Sequence, residues 1–304
     1  MSSGSYLWGI DLGGTKIEGV VLRSADNPEV LVRERLPTES QHGYRHVINQ
    51  IVALVERLSA KIGSRPDKLG IGTPGILDPH TQLMKNCNTT CLNGMTLRKD
   101  LEQTLGMNVV MANDANCFAL AETRHGIVKQ EFPEAKVIFG VILGTGVGGG
   151  LVIDNKINIG RHGIGGEWGH NFLDESGGLC YCGRRGCVET VLSGPALEKY
   201  YVSLGGEKLT LPQIYELHIK GDDKNATLTI DRLTNFFGKA LAVVINIVDP
   251  DVIVLGGGVG NIDALYTAGV ESLKKYVFND HIQTSIVKPK LGDSAGVFGA
   301  AYLS

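Results

Sequence analysis

The sequence has no run long and apolar enough to span a bilayer, no surplus of basic charge and no disulfide pattern, and each absence removes a class of function. The longest apolar region, residues 239–259, is broken by Asp249, Pro250 and Asp251, which separates a helix from a strand. The first ten residues lack the basic and apolar regions of a secretion signal, and Asp11 follows at once, so a cytoplasmic protein without a membrane partner is expected. A net charge of -3, with basic residues scattered apart from the Arg184–Arg185 corner, leaves no field to hold nucleic acid or anionic lipid. No G-x-x-x-x-G-K-[ST] motif occurs, which excludes a simple P-loop fold. Of the six cysteines, three cluster at metal spacing, while Cys87, Cys91 and Cys117 form no disulfide framework.

What remains is a chain of 304 residues, 43% apolar and 20% charged, long enough for about two soluble domains. It carries an internal repeat. Residues 8–22, WGIDLGGTKIEGVVL, align without a gap on residues 139–153, FGVILGTGVGGGLVI, and both read as strand, glycine turn, strand. Self-similarity at so long an offset points to two related domains, with a cleft between them as the ligand site. Val47, Ile51, Leu54, Val55, Leu58 and Ile62 recur at helical spacing, which predicts a helix over 44–63 stopped by Gly63. Short buried strands are expected at 68–75 and 108–114, a helix at 225–248, a strand at 251–258 and a small-residue helix at 292–303.

Two glycine turns invite phosphate and a third invites a nucleoside. Asp11-Leu-Gly-Gly-Thr-Lys16 sets a carboxylate beside close-approach glycines, a hydroxyl and an ammonium, which suits a magnesium-bound phosphate; a plain hairpin turn explains the same residues. Residues 144–150 contain G-x-G-x-x-G, but the sequence after them continues as a strand instead of opening a helix, so a second phosphate-holding hairpin fits better than a dinucleotide site. Gly256, Gly257 and Gly258 follow a buried strand and supply a third turn, for a base or ribose or for no ligand at all. Asn113 and Asp114 end another strand before a helix. Asp114 either caps that helix or accepts the proton of an attacking hydroxyl that Asn113 orients.

His170, Cys180, Cys182 and Cys187 are four soft ligands within eighteen residues, at a spacing that asks for one structural Zn2+. The alternatives are a nucleic-acid knuckle, which the lack of surrounding basic charge disfavours, and thiols that bind nothing. One nitrogen of His170 can ligate the ion while the other faces a hydroxyl, and folding round the ion brings Glu167 and Glu189 together as hydroxyl acceptors. Vicinal hydroxyls point to a sugar.

These motifs, DLGGTK at 11–16, TPG at 73–75, NDAN at 113–116, GTGVGGG at 144–150, EWGH at 167–170, CYCGRRGCVE at 180–189 and VDPDVIVLGGG ending at Gly258, together with the terminal GAA helix, resemble the ROK family of sugar kinases and sugar-responsive repressors across essentially the whole chain. The resemblance implies an α/β fold of two actin-like (ribonuclease H-like) ATPase domains with a cleft between them. The smaller domain would take residues 1–115, joined by the C-terminal helix 291–304, and the larger residues 116–290 with the zinc-binding loop 167–189. It implies ATP- and Mg2+-dependent phosphorylation of a small-molecule hexose at its C6 hydroxyl, with Asp114 as base. Gly75, Asn88, Asn113, Glu167, His170 and Glu189 would hold the sugar. Asp11, Gly13, Gly14, Thr15, Lys16, Gly144, Thr145 and Gly146 would clamp the phosphates, Gly257 and Gly258 would line the nucleoside, and a homodimer would be the assembly. Within the family, N-acetylglucosamine kinases are most similar, then glucokinases and fructokinases. The loop 85–94 departs from the family's usual forms, and Trp168 replaces a smaller apolar residue near the expected sugar. A family repressor would need a helix-turn-helix before Gly9, where this sequence has eight residues. A silent sugar-binding protein would be favoured by loss of Asp11 or Asp114, and both are present.

Overall fold

The computed structural model describes residues 6–304, the side chain of Asp293 aside. In chain order, β1 (Leu7–Leu12), β2 (Lys16–Leu22) and β3 (Val30–Pro37) precede α1 (Tyr44–Ile62), β4 (Lys68–Thr73), β5 (Ile76–Leu77), β6 (Met84–Lys85), α2 (Leu97–Leu105), β7 (Asn108–Asn113), α3 (Asp114–Arg124) and α4 (Ile127–Glu131). There follow β8 (Val137–Leu143), β9 (Val147–Ile153), β10 (Lys156–Ile157), α5 (Val188–Leu192), α6 (Gly194–Ser203), α7 (Leu211–Lys220), α8 (Lys224–Val248), β11 (Val252–Gly256), α9 (Ala268–Leu273), β12 (Ser285–Val287) and α10 (Ala295–Ala301). The chain forms two compact units. One holds the described residues up to Gln130 with 155–165 and 291–304, and the other holds 131–154 and 166–290.

In the first unit the strands run β3-β2-β1-β4-β7, with β1, β4 and β7 parallel and the β1–β2–β3 meander antiparallel. Helix α1 buries Val47, Ile48, Ile51, Leu54, Val55 and Leu58 against this sheet, and Gly63 ends it in the left-handed conformation that glycine adopts without strain. Small residues bring α10 close: a Cβ on Gly9 would lie 2.3 Å from the Ala301 nitrogen, and one on Gly299 would lie 1.8 Å from the Cys117 carbonyl oxygen. Those collisions explain the composition of the terminal helix.

The second unit repeats the plan, with strands β9-β8-β11-β12, an antiparallel hairpin followed by two parallel additions. Its core joins β8 and β11 to the long helix α8 through Phe139, Val141, Leu233, Phe237, Leu241 and Ile253. The two hairpins are related in sequence but differ by one residue in register: Leu12 pairs with Ile17, whereas Leu143 pairs with Val147. The second turn is therefore tighter, closed by Gly144 N–H to the Gly146 carbonyl at 2.9 Å, where the first is closed by Gly13 N–H to the Lys16 carbonyl at 3.0 Å. Among the described residues, no helix is long and apolar enough to cross a membrane.

Candidate functional site

Parallel pairing of β1, β4 and β7 sets the C-terminal ends of these strands side by side, with Asp11 opposite Gly72 and Thr73 opposite Asn113. That edge is where ligands meet α/β sheets. Asn113 caps α3, its side-chain oxygen accepting from Asn116 N–H at 2.9 Å. The capping role open to Asp114 thus belongs to its neighbour. Asp114 occupies the first helical position, where its Oδ1 accepts from Ala115 N–H at 2.8 Å. As a residue Asp114 is exposed, yet desolvation by the surrounding protein raises its pKa, partly offset by backbone N–H donors. A carboxylate of raised basicity on an exposed residue is suited to take a proton.

Asp11 lies deeper. Burial, then the charges of Asp114 and Glu18, push its pKa up to about 6 against the pull of Lys16. Its carboxylate fits between two glycines: a Cβ on Gly296 would come within 2.9 Å of it, and one on Gly72 within 3.4 Å. The Gly13–Lys16 turn beside it is braced by Thr38, a buried residue whose hydroxyl donates to the Gly13 carbonyl at 2.6 Å and whose N–H donates to the Thr15 carbonyl at 2.9 Å. Gly14, Thr15 and Lys16 are exposed. Gly75 packs under the loop that carries Asn88: Asn88 N–H donates to the Pro74 carbonyl at 3.2 Å, and a Cβ on Gly75 would strike Cys87 Sγ at 2.4 Å. Buried Thr73 ties this turn to the end of β7 by donating to the carbonyls of Gly75 and Ala112. The sequence-expected residues of the first unit, Asp11 to Lys16, Gly75, Asn88, Asn113 and Asp114, therefore sit on the β1, β4 and β7 ends and the adjoining loops.

In the second unit the turn Gly144–Gly146 abuts Glu189, whose Oε2 accepts from Val147 N–H at 3.0 Å. Gly194 N–H, at the start of α6, donates to the Gly144 carbonyl at 2.8 Å. Gly257 is left-handed (φ 82°), and a Cβ there would be 2.2 Å from the Leu143 carbonyl oxygen, so close packing alone demands glycine; Gly258 borders open space. The segment 166–170 lies flat on β9, because a Cβ on Gly169 would meet the Val147 carbonyl oxygen at 2.0 Å. Trp168, the departure from the family's motif expected near the sugar, is buried in the core. Its Nε1–H donates to the Gly148 carbonyl at 3.0 Å, and its ring meets Phe139 edge to face.

The ligand atoms of His170, Cys180, Cys182 and Cys187 all lie within 4.8 Å of one another. Nδ1 of His170 is 3.6 Å from Cys180 Sγ, and Cys182 Sγ is 3.6 Å from Cys187 Sγ. Donors at such separations fit a tetrahedral zinc ion bound at about 2.0–2.3 Å. The other ring nitrogen, Nε2, is 3.0 Å from the hydroxyl of Tyr181. Desolvation, then Glu189, Cys180 and Glu167, push the Tyr181 pKa up to about 12, so the phenol keeps its proton.

Residues 7–304 match the model of the ROK family. The chain belongs to the ROK family. Among ROK relatives, it is 36% identical over 307 residues to the N-acetyl-D-glucosamine kinase of Aliivibrio fischeri, covering 98% of each chain. The solved ROK hexokinase from Thermus thermophilus superposes with a TM-score of 0.87 at 30% identity, over 98% of this chain and 97% of that one. A ROK glucokinase from Streptomyces griseus, solved in complex with glucose and AMPPNP, gives a TM-score of 0.77 at 28% identity over 99% of each chain. The expected actin-like ATPase architecture is thus the fold of this ROK protein. Thr38, Gly296 and Tyr181 were not singled out from sequence, and Thr73 entered only as part of the TPG motif. Thr38 belongs to no motif, whereas the position of Tyr181 between two metal-spaced cysteines was a usable clue.

Proposed function

We propose that this chain transfers the γ-phosphate of ATP to the C6 hydroxyl of a hexose, with N-acetylglucosamine the first candidate and glucose the second. The observation that carries this reading is Asp114, an exposed residue with a carboxylate of raised basicity at the first turn of α3. Relatives named N-acetyl-D-glucosamine kinases support the choice of acceptor. Asp114 takes the proton of the attacking hydroxyl, while Gly75, Asn88, Asn113, Glu167, His170 and Glu189 hold the sugar by its oxygens. Phosphoryl transfer asks mainly for positioning and charge stabilisation. Backbone N–H groups at Gly13–Lys16 and Gly144–Gly146 offer donors to phosphate oxygens, and Lys16 adds a positive charge. Gly257 and Gly258 lie along the nucleoside. Mg2+, when bound with ATP, neutralises phosphate charge, and Asp11 is the carboxylate placed to hold it. Zn2+, when bound by His170, Cys180, Cys182 and Cys187, fixes the segment carrying Glu167 and Glu189.

The test is ADP release with ATP and Mg2+ over N-acetylglucosamine, glucose, N-acetylmannosamine, mannose and fructose, compared as kcat/KM. N-acetylglucosamine is expected to lead. Asp114→Asn is expected to lower kcat by about 10²- to 10⁴-fold while calorimetry still detects sugar binding. A variant that retains most of its rate removes Asp114 from the mechanism.

A further inference from the structure

Thr89 is 5% exposed, and among the described residues its buried hydroxyl has no hydrogen-bond partner. The usual local outlet goes unused. Thr89 precedes the 3-10 turn Thr90–Leu92, a position where threonine side chains often accept from a backbone N–H, yet no such bond forms. The loop around it is fixed. The Asn93 side chain accepts from Cys87 N–H at 2.9 Å and donates to the Cys87 carbonyl at 3.2 Å, and Asn88 N–H donates to the Pro74 carbonyl at 3.2 Å. These bonds hold the hydroxyl at Gly14: a Cβ on Gly14 would lie 3.7 Å from it, with no other atom beyond the glycine's chain neighbours within 4 Å.

Gly14 is the middle of the first glycine turn. Thr38 meets the carbonyls on either side of it, its hydroxyl donating to Gly13 and its N–H to Thr15. Between them the Gly14 carbonyl has no donor among the described residues. The C=O of Gly14 and the N–H of Thr15 belong to one planar trans peptide and point in opposite directions. Turning Thr15 N–H outward to a phosphate oxygen therefore turns the Gly14 carbonyl inward, the side on which buried Thr89 lies.

We propose that Thr89 is a positioning residue for phosphoryl transfer: when the turn takes a nucleotide phosphate, the Thr89 hydroxyl donates to the Gly14 carbonyl and so holds Thr15 N–H on the phosphate. This rests on the sugar-kinase reading above. Before that bond forms, the buried hydroxyl is an uncompensated cost, and nucleotide binding relieves it. Asn88, proposed to hold the sugar, is the preceding residue, so one short loop serves both substrates.

The experiment compares the wild-type chain with Thr89→Val, which keeps the shape and removes the hydroxyl, and with Thr89→Ser, which keeps the hydroxyl. Calorimetry reads the Kd for AMPPNP with Mg2+ and, separately, for N-acetylglucosamine without nucleotide. KM for ATP and the denaturant midpoint of the nucleotide-free protein are measured alongside. Thr89→Val is expected to raise the AMPPNP Kd and the KM for ATP about three- to tenfold, the worth of one hydrogen bond, and Thr89→Ser to restore both. Sugar affinity without nucleotide stays as it was. The midpoint of Thr89→Val is equal or higher, because a methyl group replaces a buried hydroxyl that has no partner. A lowered midpoint, with both ligands weakened together, shows that the hydroxyl serves the fold and overturns the proposal. Unaltered AMPPNP affinity in Thr89→Val overturns it as well, as does a loss that Thr89→Ser fails to restore. A wild-type chain that binds AMPPNP but phosphorylates no hexose fails the kinase reading, while the AMPPNP comparison still decides the role of Thr89; one that binds no AMPPNP overturns both.

Discussion

A methyl group added at Gly146 would lie 2.7 Å from Oε2 of Glu189, with no atom of another residue within 4 Å. Gly146 is not in the left-handed region, so the backbone accepts alanine there, and the strain falls on the Glu189 carboxylate. Gly146→Ala is therefore expected to weaken sugar binding about tenfold when measured by calorimetry without nucleotide, because small displacements of positioning groups are expensive. Unaltered sugar affinity would show that Glu189 does not serve the sugar from its present position. The role proposed for Glu189 comes from its place in the sequence, just after Cys187. Its anchor was not legible there, since Val147 N–H lies 42 residues away in sequence and only the fold brings it within 3.0 Å. Trp168 was legible as a departure from the family's motif, but its surroundings were not: only the fold brings its ring edge to face with Phe139 and its Nε1–H to the Gly148 carbonyl.

At the scale of elements, the segment from Glu167 to Cys187 has little regular structure of its own. It holds two short 3-10 turns, Trp168–His170 and Glu175–Gly177, and the isolated bridges Phe172 to Cys187 and Leu179 to Arg185. Turn bonds such as Cys180 N–H to the Arg184 carbonyl and Gly186 N–H to the Gly178 carbonyl, both at 2.8 Å, close the segment locally, and its four metal ligands tie His170 to the Cys180–Cys187 turn. The protein purified without added metal is expected to hold about one zinc per chain. Chelation should weaken sugar binding by about ten- to a thousandfold, from the cost of immobilising three side chains at about 0.5–1.5 kcal/mol each, while far-UV circular dichroism scarcely changes. A metal-free chain with unaltered sugar affinity would refute the scaffold role. Regular elements were the most legible part of the sequence, because periodicity and glycine stops are local: α1 spans Tyr44–Ile62 and is capped by Gly63 as expected. Register was hidden. The gapless alignment of the two hairpins gave no hint that Leu143 pairs one residue earlier than its counterpart Leu12, since pairing is decided by turn closure and not by residue similarity.

At the scale of the whole molecule, the strand plan occurs twice, and each time a glycine turn follows the first strand of the hairpin. In the first copy that turn adjoins Asp11, whose pKa of about 6 reflects burial beside Asp114 and Glu18. A carboxyl group that binds its proton more tightly when folded than when unfolded makes stability fall as pH rises. The loss begins near the ordinary carboxylate range and is complete once pH passes about 6. Above that window the folded protein carries a charge that burial and neighbouring carboxylates oppose. Asp11→Asn removes the charge, and in the nucleotide-free protein it is expected to be more stable than the parent by roughly 1–3 kcal/mol at pH 8, with the difference gone by about pH 4. Denaturant unfolding at the two pH values reads this directly. The same variant should lose phosphoryl transfer, because the charge that destabilises the empty protein is the one placed to hold Mg2+ with ATP. If Asp11→Asn were no more stable than the parent at pH 8, the strain assigned to this carboxylate would be absent, and the two units would differ less in their electrostatics than the burial of Asp11 implies.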